Sequence, residues 1–302
     1  MKIKTRRYYI YYAAKVLFFV IRLLPRRVSL FIADLLGRLG FVLLKKYRDI
    51  AISNLDEVFS GDHQKNLKIA RDVFRNLAKN GADWIKLTSL SKKGIADLVS
   101  EASGFENVDK ALAKGKGVIV LGSHFGNWEL LLVYFIVKGY KGAAVGRRIY
   151  FHKYDKFINK MRNRFGTHTI YRDESPKKIL KVLKEGYVLG IIADQDVKSL
   201  EGVFVDYFGK SAYTPTAPVK LGMATGASII PGFMIRKEDD TYKLILEEPI
   251  EMVPGEDKEE DVKRFTQAWT AVLEKNVRKY PGQWVWLHKR WKTKNEEQDK
   301  KK

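Results

Sequence analysis

The chain has 302 residues and no cysteine, and its 56 Lys and Arg outnumber its 35 Asp and Glu, giving a net charge of +21. The lack of cysteine excludes a thiol nucleophile, a disulfide framework and a cysteine metal site. The charge predicts a polyanionic partner (nucleic acid, anionic lipid or a phosphorylated substrate), and 45% hydrophobic residues are enough for a sizeable core.

The first predicted element is an apolar run over residues 8–24, with basic residues at both ends and Pro25 after it. It is shorter than the roughly 20 apolar residues of a full membrane span. It also contains Lys15 and Arg22, whose long side chains can snorkel. A short span, an interfacial helix and a buried helix of a soluble protein are the alternatives. Because Lys and Arg crowd both ends, we expect residues 1–27 to form a membrane-anchoring helix.

The next part of the chain carries helical patterns. An amphipathic helix is predicted over residues 28–44, and apolar residues recur at helical spacing over 47–90. From Gly117 onward short apolar runs alternate with helical patterns, which is typical of a parallel sheet. The predicted fold class is α/β: a mainly parallel mixed sheet flanked by helices, with an N-terminal helical membrane-anchoring region.

Glycine, proline and polar residues delimit the predicted elements of the second half. The strands are expected at 117–122, 143–145, 167–171, 187–193, 228–235 and 242–247, and the helices at 127–138, 151–165, 176–184, 215–225 and 261–279. The alternation of Trp284 and Trp286 predicts a strand face, either in the core or in an interfacial aromatic belt. The predicted divisions are an anchor over 1–27, a domain over 28–291 that is helical to about 110 and α/β over 111–291, and a charged disordered tail over 292–302.

The strand at 117–122 leads into the string Ser-His-Phe-Gly-Asn-Trp-Glu, residues 123–129. Ligands of open α/β sheets bind beyond the carboxyl ends of strands, where His124 falls. Asn127 suits a helix N-cap, and Gly126 lets the loop fold back so that the carboxylate of Glu129 meets one imidazole nitrogen. The other nitrogen is then free to take a proton. A helix-capping loop with a structural histidine is the alternative, and spacing alone favours it.

The His124-(four residues)-Glu129 motif resembles the signature of the glycerolipid acyltransferase superfamily, and the string HFGNWE resembles that of the lipid A biosynthesis (lauroyl/myristoyl) acyltransferases. Further blocks resemble this family in order: Arg147-Arg148, Arg162-Asn163-Arg164-Phe165-Gly166, Ala193-Asp194-Gln195-Asp196, residues 202–209, Thr225-Gly226-Ala227 with Pro231, and residues 283–291. Arg148 replaces a usual proline, and Asp206-Tyr207 stand where proline and phenylalanine are usual. The resemblance spans nearly the whole chain.

The resemblance implies an O-acyltransferase at the cytoplasmic face of the bacterial inner membrane. It implies transfer of a fatty acyl chain from a thioester, on acyl carrier protein or coenzyme A, to a hydroxyl of a lipid A precursor or other glycolipid. His124 would be the general base and Glu129 its partner, with direct attack and no acyl-enzyme. No cofactor is predicted, and Asp194 and Asp196 alone are too few ligands for a metal site.

Six residues are predicted to bind substrate: Arg147, Arg148, Arg162, Arg164, Asp194 and Gln195. Arg147 or Arg148, or backbone N–H groups of the glycine-flanked loop, would stabilise the oxyanion. The arginines at 162 and 164 would hold lipid phosphates or form a solvated helix face. Asp194 has a turn or cap role as its alternative.

Two other functions are alternatives. One is a phospholipid or glycosyl-phosphatidyl acyltransferase of the same superfamily. The other is a basic protein that binds peripherally to membranes. Nucleic acid is not expected as a partner, because the basic residues are spread out and the chain has no RRM, KH or helix-turn-helix signature.

Overall fold

The computed structural model describes residues 2–295, and the side chains from residue 8 onward. Residues 296–302, most of the predicted tail, lie outside the described residues. The helices are α1 Lys2–Leu23, α2 Arg26–Leu43, α3 Lys45–Val58, α4 His63–Leu87, α5 Lys92–Ala96, α6 Phe105–Ala113, α7 Trp128–Val137, α8 His152–Asn163, α9 Pro176–Lys184, α10 Ala217–Thr225 and α11 Lys258–Lys279. The strands are β1 Val99–Ser103, β2 Val118–Gly122, β3 Gly142–Gly146, β4 His168–Tyr171, β5 Val188–Ile192, β6 Gly202–Tyr207, β7 Lys210–Pro215, β8 Ser228–Arg236 and β9 Tyr242–Leu246.

Seven strands form one sheet in the order β1-β9-β8-β2-β5-β3-β4. The five strands from β8 to β4 run parallel to one another. β9 pairs antiparallel with β8, and the edge strand β1 pairs parallel with β9. The predicted α/β class, with a mainly parallel mixed sheet flanked by helices, is therefore confirmed.

The central strands β2 and β8 are buried on both faces, which explains their continuous apolar sequences. In β2, Ile119 and Leu121 pack into one core cluster together with Trp269 of α11. Val118 and Val120 point the other way, because side chains alternate along a strand, and pack in a second cluster with residues of α7. The sheet thus separates two apolar layers, and its carboxyl-end edge is left for polar loops.

Three features differ from the sequence prediction. β1 lies within the part expected to be helical, and β6 and β7 form an antiparallel hairpin that no pattern predicted. β1 is an edge strand whose residues are mostly exposed, so it lacks the apolar alternation that reveals a strand. Trp284 and Trp286 follow a short 3-10 turn over Pro281–Gln283 and do not form a strand. Both indoles have no exposed surface, so the prediction that they pack in the core is correct, and the alternative of an interfacial aromatic belt is wrong.

The N-terminal helices pack against α4. No helix in the part of the chain that the structure describes is long and apolar enough to cross a membrane, so the short span is not supported. The ammonium of Lys86 donates to the carbonyl oxygens of Arg22 (2.9 Å) and Leu24 (2.5 Å), satisfying the C-terminal carbonyls of α1. α2 approaches α4 closely at Gly37, where an added Cβ would lie 2.7 Å from the Cα of Arg75.

Candidate active site

The register of β2 and β5 brings His124 and Asp194 together. The two strands are parallel neighbours, with Gly122 opposite Ile192. His124 and Asp194 each follow two residues after these paired positions. Both side chains therefore emerge at the same carboxyl edge of the sheet, where open α/β folds bind their ligands.

Asp194 accepts three hydrogen bonds, two from His124 and one from Trp284. Its Oδ1 accepts from Nδ1 of His124 at 2.7 Å, and its Oδ2 accepts from the backbone N–H of His124 at 2.8 Å and from the indole Nε1 of Trp284 at 2.9 Å. The carboxylate is fully buried, whereas 27% of the imidazole side chain is exposed. Because Asp194 fixes the proton on Nδ1, Nε2 is the nitrogen that can accept a proton from a bound molecule.

The charges of this pair reinforce each other. Burial opposes ionisation of Asp194, but the charge and hydrogen bond of His124 and the hydrogen bond of Trp284 outweigh it and lower the pKa of Asp194 to about 2. Burial also opposes protonation of His124, but the charge and hydrogen bond of Asp194, with a smaller contribution from Glu129, raise the pKa of His124. The carboxylate therefore stays ionised, and an imidazolium that forms on His124 is stabilised.

Glu129 does not make the hydrogen bond to His124 that the sequence predicted. It lies in the first turn of α7 and faces Arg162 in the last turn of α8, whose Nε donates to Oε2 at 3.1 Å and whose Nη2 contacts Oε1. Asp194 already occupies Nδ1, so the two carboxylates act differently. Asp194 binds the imidazole, whereas Glu129 influences it through charge and positions Arg162.

A second histidine lies beside the first. The amide nitrogen of Gln195 donates to Nε2 of His288 at 2.8 Å and lies 3.4 Å from Nε2 of His124. Burial and the nearby charge of His124, opposed by Asp194, lower the pKa of His288 to about 4, so this imidazole stays neutral near pH 7. His288 was not predicted as a site residue. Its place in the terminal motif, residues 283–291, was the only signal for it.

The loop between β2 and α7 is held by the sheet beneath it. Gly126 has a φ of +58°, and an added Cβ would lie 2.0 Å from the carbonyl oxygen of Met234, so only glycine fits. Asn127 accepts from the N–H of Leu130 at 3.1 Å, which confirms the predicted N-cap. Its backbone N–H donates to the same oxygen of Met234 at 2.8 Å. These contacts fix the direction in which His124 leaves β2.

The other predicted arginines are not gathered around His124. Arg148 pairs with Asp173 at 3.1 Å and lies 3.9 Å from the centre of the Tyr171 ring, at the end of β4. Arg147 and Arg164 are exposed. Within the described residues no group of three or more acidic or histidine side chains could hold a metal ion. Of the six predicted substrate-binding residues, Asp194 and Gln195 contact His124, and Arg162 pairs with Glu129, whose charge acts on His124.

A buried carboxylate and the imidazole that it fixes lie together at the carboxyl edge of a parallel sheet, where α/β enzymes bind their substrates. Residues 1–293 match the family described as bacterial lipid A biosynthesis acyltransferase, and the chain belongs to this family. The protein is accordingly an acyltransferase.

Individual relatives agree with this assignment. The chain is 28% identical to a lipid A biosynthesis lauroyltransferase of Escherichia coli over 86% of its own length and 84% of that protein. It is 23% identical to a lipid A biosynthesis palmitoleoyltransferase of the same organism, covering 89% of this chain and 87% of the relative. It is also 26% identical to a phosphatidylinositol mannoside acyltransferase of Mycobacterium tuberculosis, over 72% and 69% of the two chains.

Proposed function

We propose that the protein transfers a fatty acyl chain from an acyl thioester to a hydroxyl of a lipid A precursor, with His124 as general base. The observation that carries the proposal is the contact of Nδ1 of His124 with the buried carboxylate of Asp194, which leaves Nε2 as the ring nitrogen that can accept a proton. Asp194 orients the imidazole, and the negative charge of Glu129 adds to the stabilisation of the imidazolium.

The reaction follows from this arrangement. Nε2 of His124 removes the proton of the acceptor hydroxyl as its oxygen attacks the thioester carbonyl. The tetrahedral intermediate collapses to the new ester and a thiolate, and the imidazolium returns the proton to the thiolate. Asp194 stays ionised throughout because its pKa is about 2. The chain has no cysteine, in keeping with direct transfer without a thioester on the enzyme.

Two acceptors are supported by specific relatives. The lauroyl- and palmitoleoyltransferases carry lipid A biosynthesis in their names, which favours a lipid A precursor. The mannoside acyltransferase favours a glycosyl-phosphatidyl acceptor as the second candidate. The net charge of +21 suits an acidic donor, either acyl carrier protein or the phosphates of coenzyme A.

The test is a transfer assay with purified full-length protein in detergent. Each donor, acyl carrier protein thioester and acyl-coenzyme A, is paired with a lipid A precursor and with a phosphatidylinositol mannoside. Mass spectrometry should show one added acyl group on the lipid A precursor, and none with a folded His124→Ala protein. Acylation of the mannoside alone would establish the second candidate, and acylation of neither acceptor would reject the proposed function.

We also propose that the enzyme works at the cytoplasmic face of the bacterial inner membrane, because its acceptor is a membrane lipid. Residues 1–27 support attachment through exposed apolar side chains of α1, including Tyr9, Val16 and Leu23. The full-length protein should stay in the membrane fraction after a high-salt wash, since salt screens charges but does not weaken apolar contact. Release of most of the protein by salt would leave only electrostatic attachment.

A further inference from the structure

α2 is apolar on two opposite faces. One face, with Leu30, Ala33 and Phe41, is buried, and the close approach at Gly37 brings α4 against it. The other face is exposed along its whole length: Val28, Phe31, Leu35, Leu36, Leu39, Val42 and Leu43. A helix that is apolar on two opposite faces needs an apolar environment for each, and the described part of the protein covers only one of them.

α1, which precedes α2 in the chain, also carries many exposed apolar side chains. Its exposed large side chains are Tyr8, Tyr9, Ile10, Tyr12, Val16, Leu17, Phe19, Val20 and Leu23. Leu23 near its end is 83% exposed, and Val28 at the start of α2 is 41% exposed. Isolated exposed apolar residues are ordinary, but so many on two consecutive helices indicate an interaction surface.

The charges around this surface identify its partner. Residues 1–48 contain twelve Lys and Arg but a single acidic residue, Asp34. That carboxylate is bound by Nε of Arg38 at 2.8 Å and Nε of Arg75 at 2.6 Å, so it does not offset the other cations. Exposed apolar side chains among lysines and arginines fit a bilayer with anionic headgroups, because acyl chains take the apolar groups and headgroups take the cations.

We propose that α1 and α2 form one membrane-binding surface, hereafter the α1–α2 surface, which lies in the interface of an anionic bilayer without spanning it. The exposed face of α2, and not α1 alone, contacts the lipid. The proposal deepens the proposed function and rests on it only in that the acceptor is a membrane lipid. No helix among the described residues is long and apolar enough to span a membrane.

The α1–α2 surface is connected to the active site through α8. Phe18 of α1 packs on Phe157 of α8 with ring centres 5.0 Å apart, and Tyr11 packs on Tyr154 at 5.5 Å. The last turn of α8 carries Arg162, which binds Glu129 beside the catalytic loop. Membrane attachment through α1 thus places α8, which borders the active site, close to the bilayer. This arrangement suits an acceptor lipid that stays in the bilayer.

The first experiment adds charge to the exposed face of α2. Full-length Leu35→Glu/Leu39→Glu protein is compared with Leu180→Glu/Val253→Glu, which adds the same charge at exposed apolar positions elsewhere. Flotation uses phosphatidylethanolamine vesicles with and without phosphatidylglycerol. We expect the wild type and the control double variant (Leu180→Glu/Val253→Glu, the control pair) to float with anionic vesicles. The double variant on α2 (Leu35→Glu/Leu39→Glu, the α2 pair) should bind at least tenfold more weakly. Acyl transfer in detergent micelles should change less than twofold in both.

The second experiment does not depend on how the α2 pair folds. Because the chain has no cysteine, Leu39→Cys and Val253→Cys each provide one labelling site for an environment-sensitive dye. Adding anionic vesicles should shift the emission of the dye at position 39 to shorter wavelength and leave position 253 unchanged.

Three results would overturn the proposal: equal flotation of the α2 pair and the wild type, no emission shift at position 39, or a dimer without lipid that Leu39→Glu dissociates while vesicle binding persists. The last would assign the surface to a second copy of the chain. Failure of acyl transfer by the wild type in detergent would reject the proposed function and leave the vesicle results valid.

Discussion

Oδ1 of Asp194 holds the proton of His124 on Nδ1, and the hydrogen bonds to Oδ2 fix the orientation of the carboxylate. Two donors, the backbone N–H of His124 and the indole N–H of Trp284, already point at this one oxygen. A group that replaces the carboxylate must keep an acceptor there. The tautomer of His124 therefore depends on whether the atom at the Oδ1 position, which faces Nδ1, accepts or donates a hydrogen bond.

Replacing Asp194 with asparagine should trap the wrong tautomer. The amide oxygen has to face the two donors, so the NH₂ group faces Nδ1 of His124 and donates to it. The proton then sits on Nε2, which can no longer act as the base, and kcat should fall by about 10²–10⁴-fold. Steady-state rates check this, with melting temperatures to show that the protein folds. A folded Asp194→Asn protein with a nearly unchanged rate would contradict the role of Asp194.

The pH dependence of kcat/KM reports the charge around His124. The neutral imidazole is the active form, so the rate rises as pH rises through the pKa of His124, which lies above its usual value of about 6.5. Glu129→Gln removes one of the charges that raise this pKa and leaves Arg162 unpaired, so the inflection should move to lower pH.

Glu101→Gln removes an exposed carboxylate on β1 and serves as the matched control, for which the inflection should not move. A wild-type inflection at or below about 6.5 would exclude a raised pKa of His124. An inflection that Glu129→Gln leaves unchanged would show that Glu129 has no electrostatic role.

At the residue scale, the sequence could predict His124 as a site residue but not Asp194 as the hydrogen-bond partner of its imidazole. His124 and Glu129 are close in sequence, whereas Asp194 is 70 residues from His124. Their contact depends on the pairing of Gly122 with Ile192, and strand register is a property of the folded sheet. The same argument applies to His288, which reaches the site through Gln195.

At the scale of elements, two glycines of α2 make a matched pair. A Cβ at Gly37 would meet the backbone of Arg75 at 2.7 Å, whereas a Cβ at Gly40 would meet nothing nearer than 3.6 Å. We expect Gly37→Ala to force α2 away from α4 and to lower the free energy of unfolding by about 1–3 kcal/mol. Gly40→Ala should be neutral or stabilise by up to about 1 kcal/mol through helix propensity. Denaturant melts measure both, and equal effects would contradict the close packing at Gly37.

The sequence could predict the strands that have apolar sequences. It could not predict the exposed strand β1 or the irregular segment around Trp284. β2 is buried on both faces, β5 is buried over its first two residues, and both strands have continuous apolar sequences. The mostly exposed β1 has no such signal. Trp284 and Trp286 alternate as in a strand, but both are buried in a segment that is not a strand. There, the backbone N–H of Val285 donates to the carbonyl oxygen of His124 at 2.9 Å, a contact that no local pattern predicts.

At the scale of the whole molecule, the net charge of +21 should govern encounter with the donor. Exposed charges are screened beyond about 8 Å at physiological ionic strength. Raising salt should therefore increase KM for acyl carrier protein, which is approached through long-range attraction, and should change kcat much less. Steady-state kinetics between low and high salt check this. A KM for the carrier protein that does not depend on salt would contradict it.

The account rests most directly on His124 as the base, and the single measurement that tests it is acyl transfer by a folded His124→Ala protein. Detergent micelles remove any influence of membrane binding, and an unchanged melting temperature establishes the fold. We predict a rate about 10²–10⁴-fold below the wild type, at every pH where the wild type is active. A folded His124→Ala protein that transfers acyl chains at nearly the wild-type rate would contradict the account.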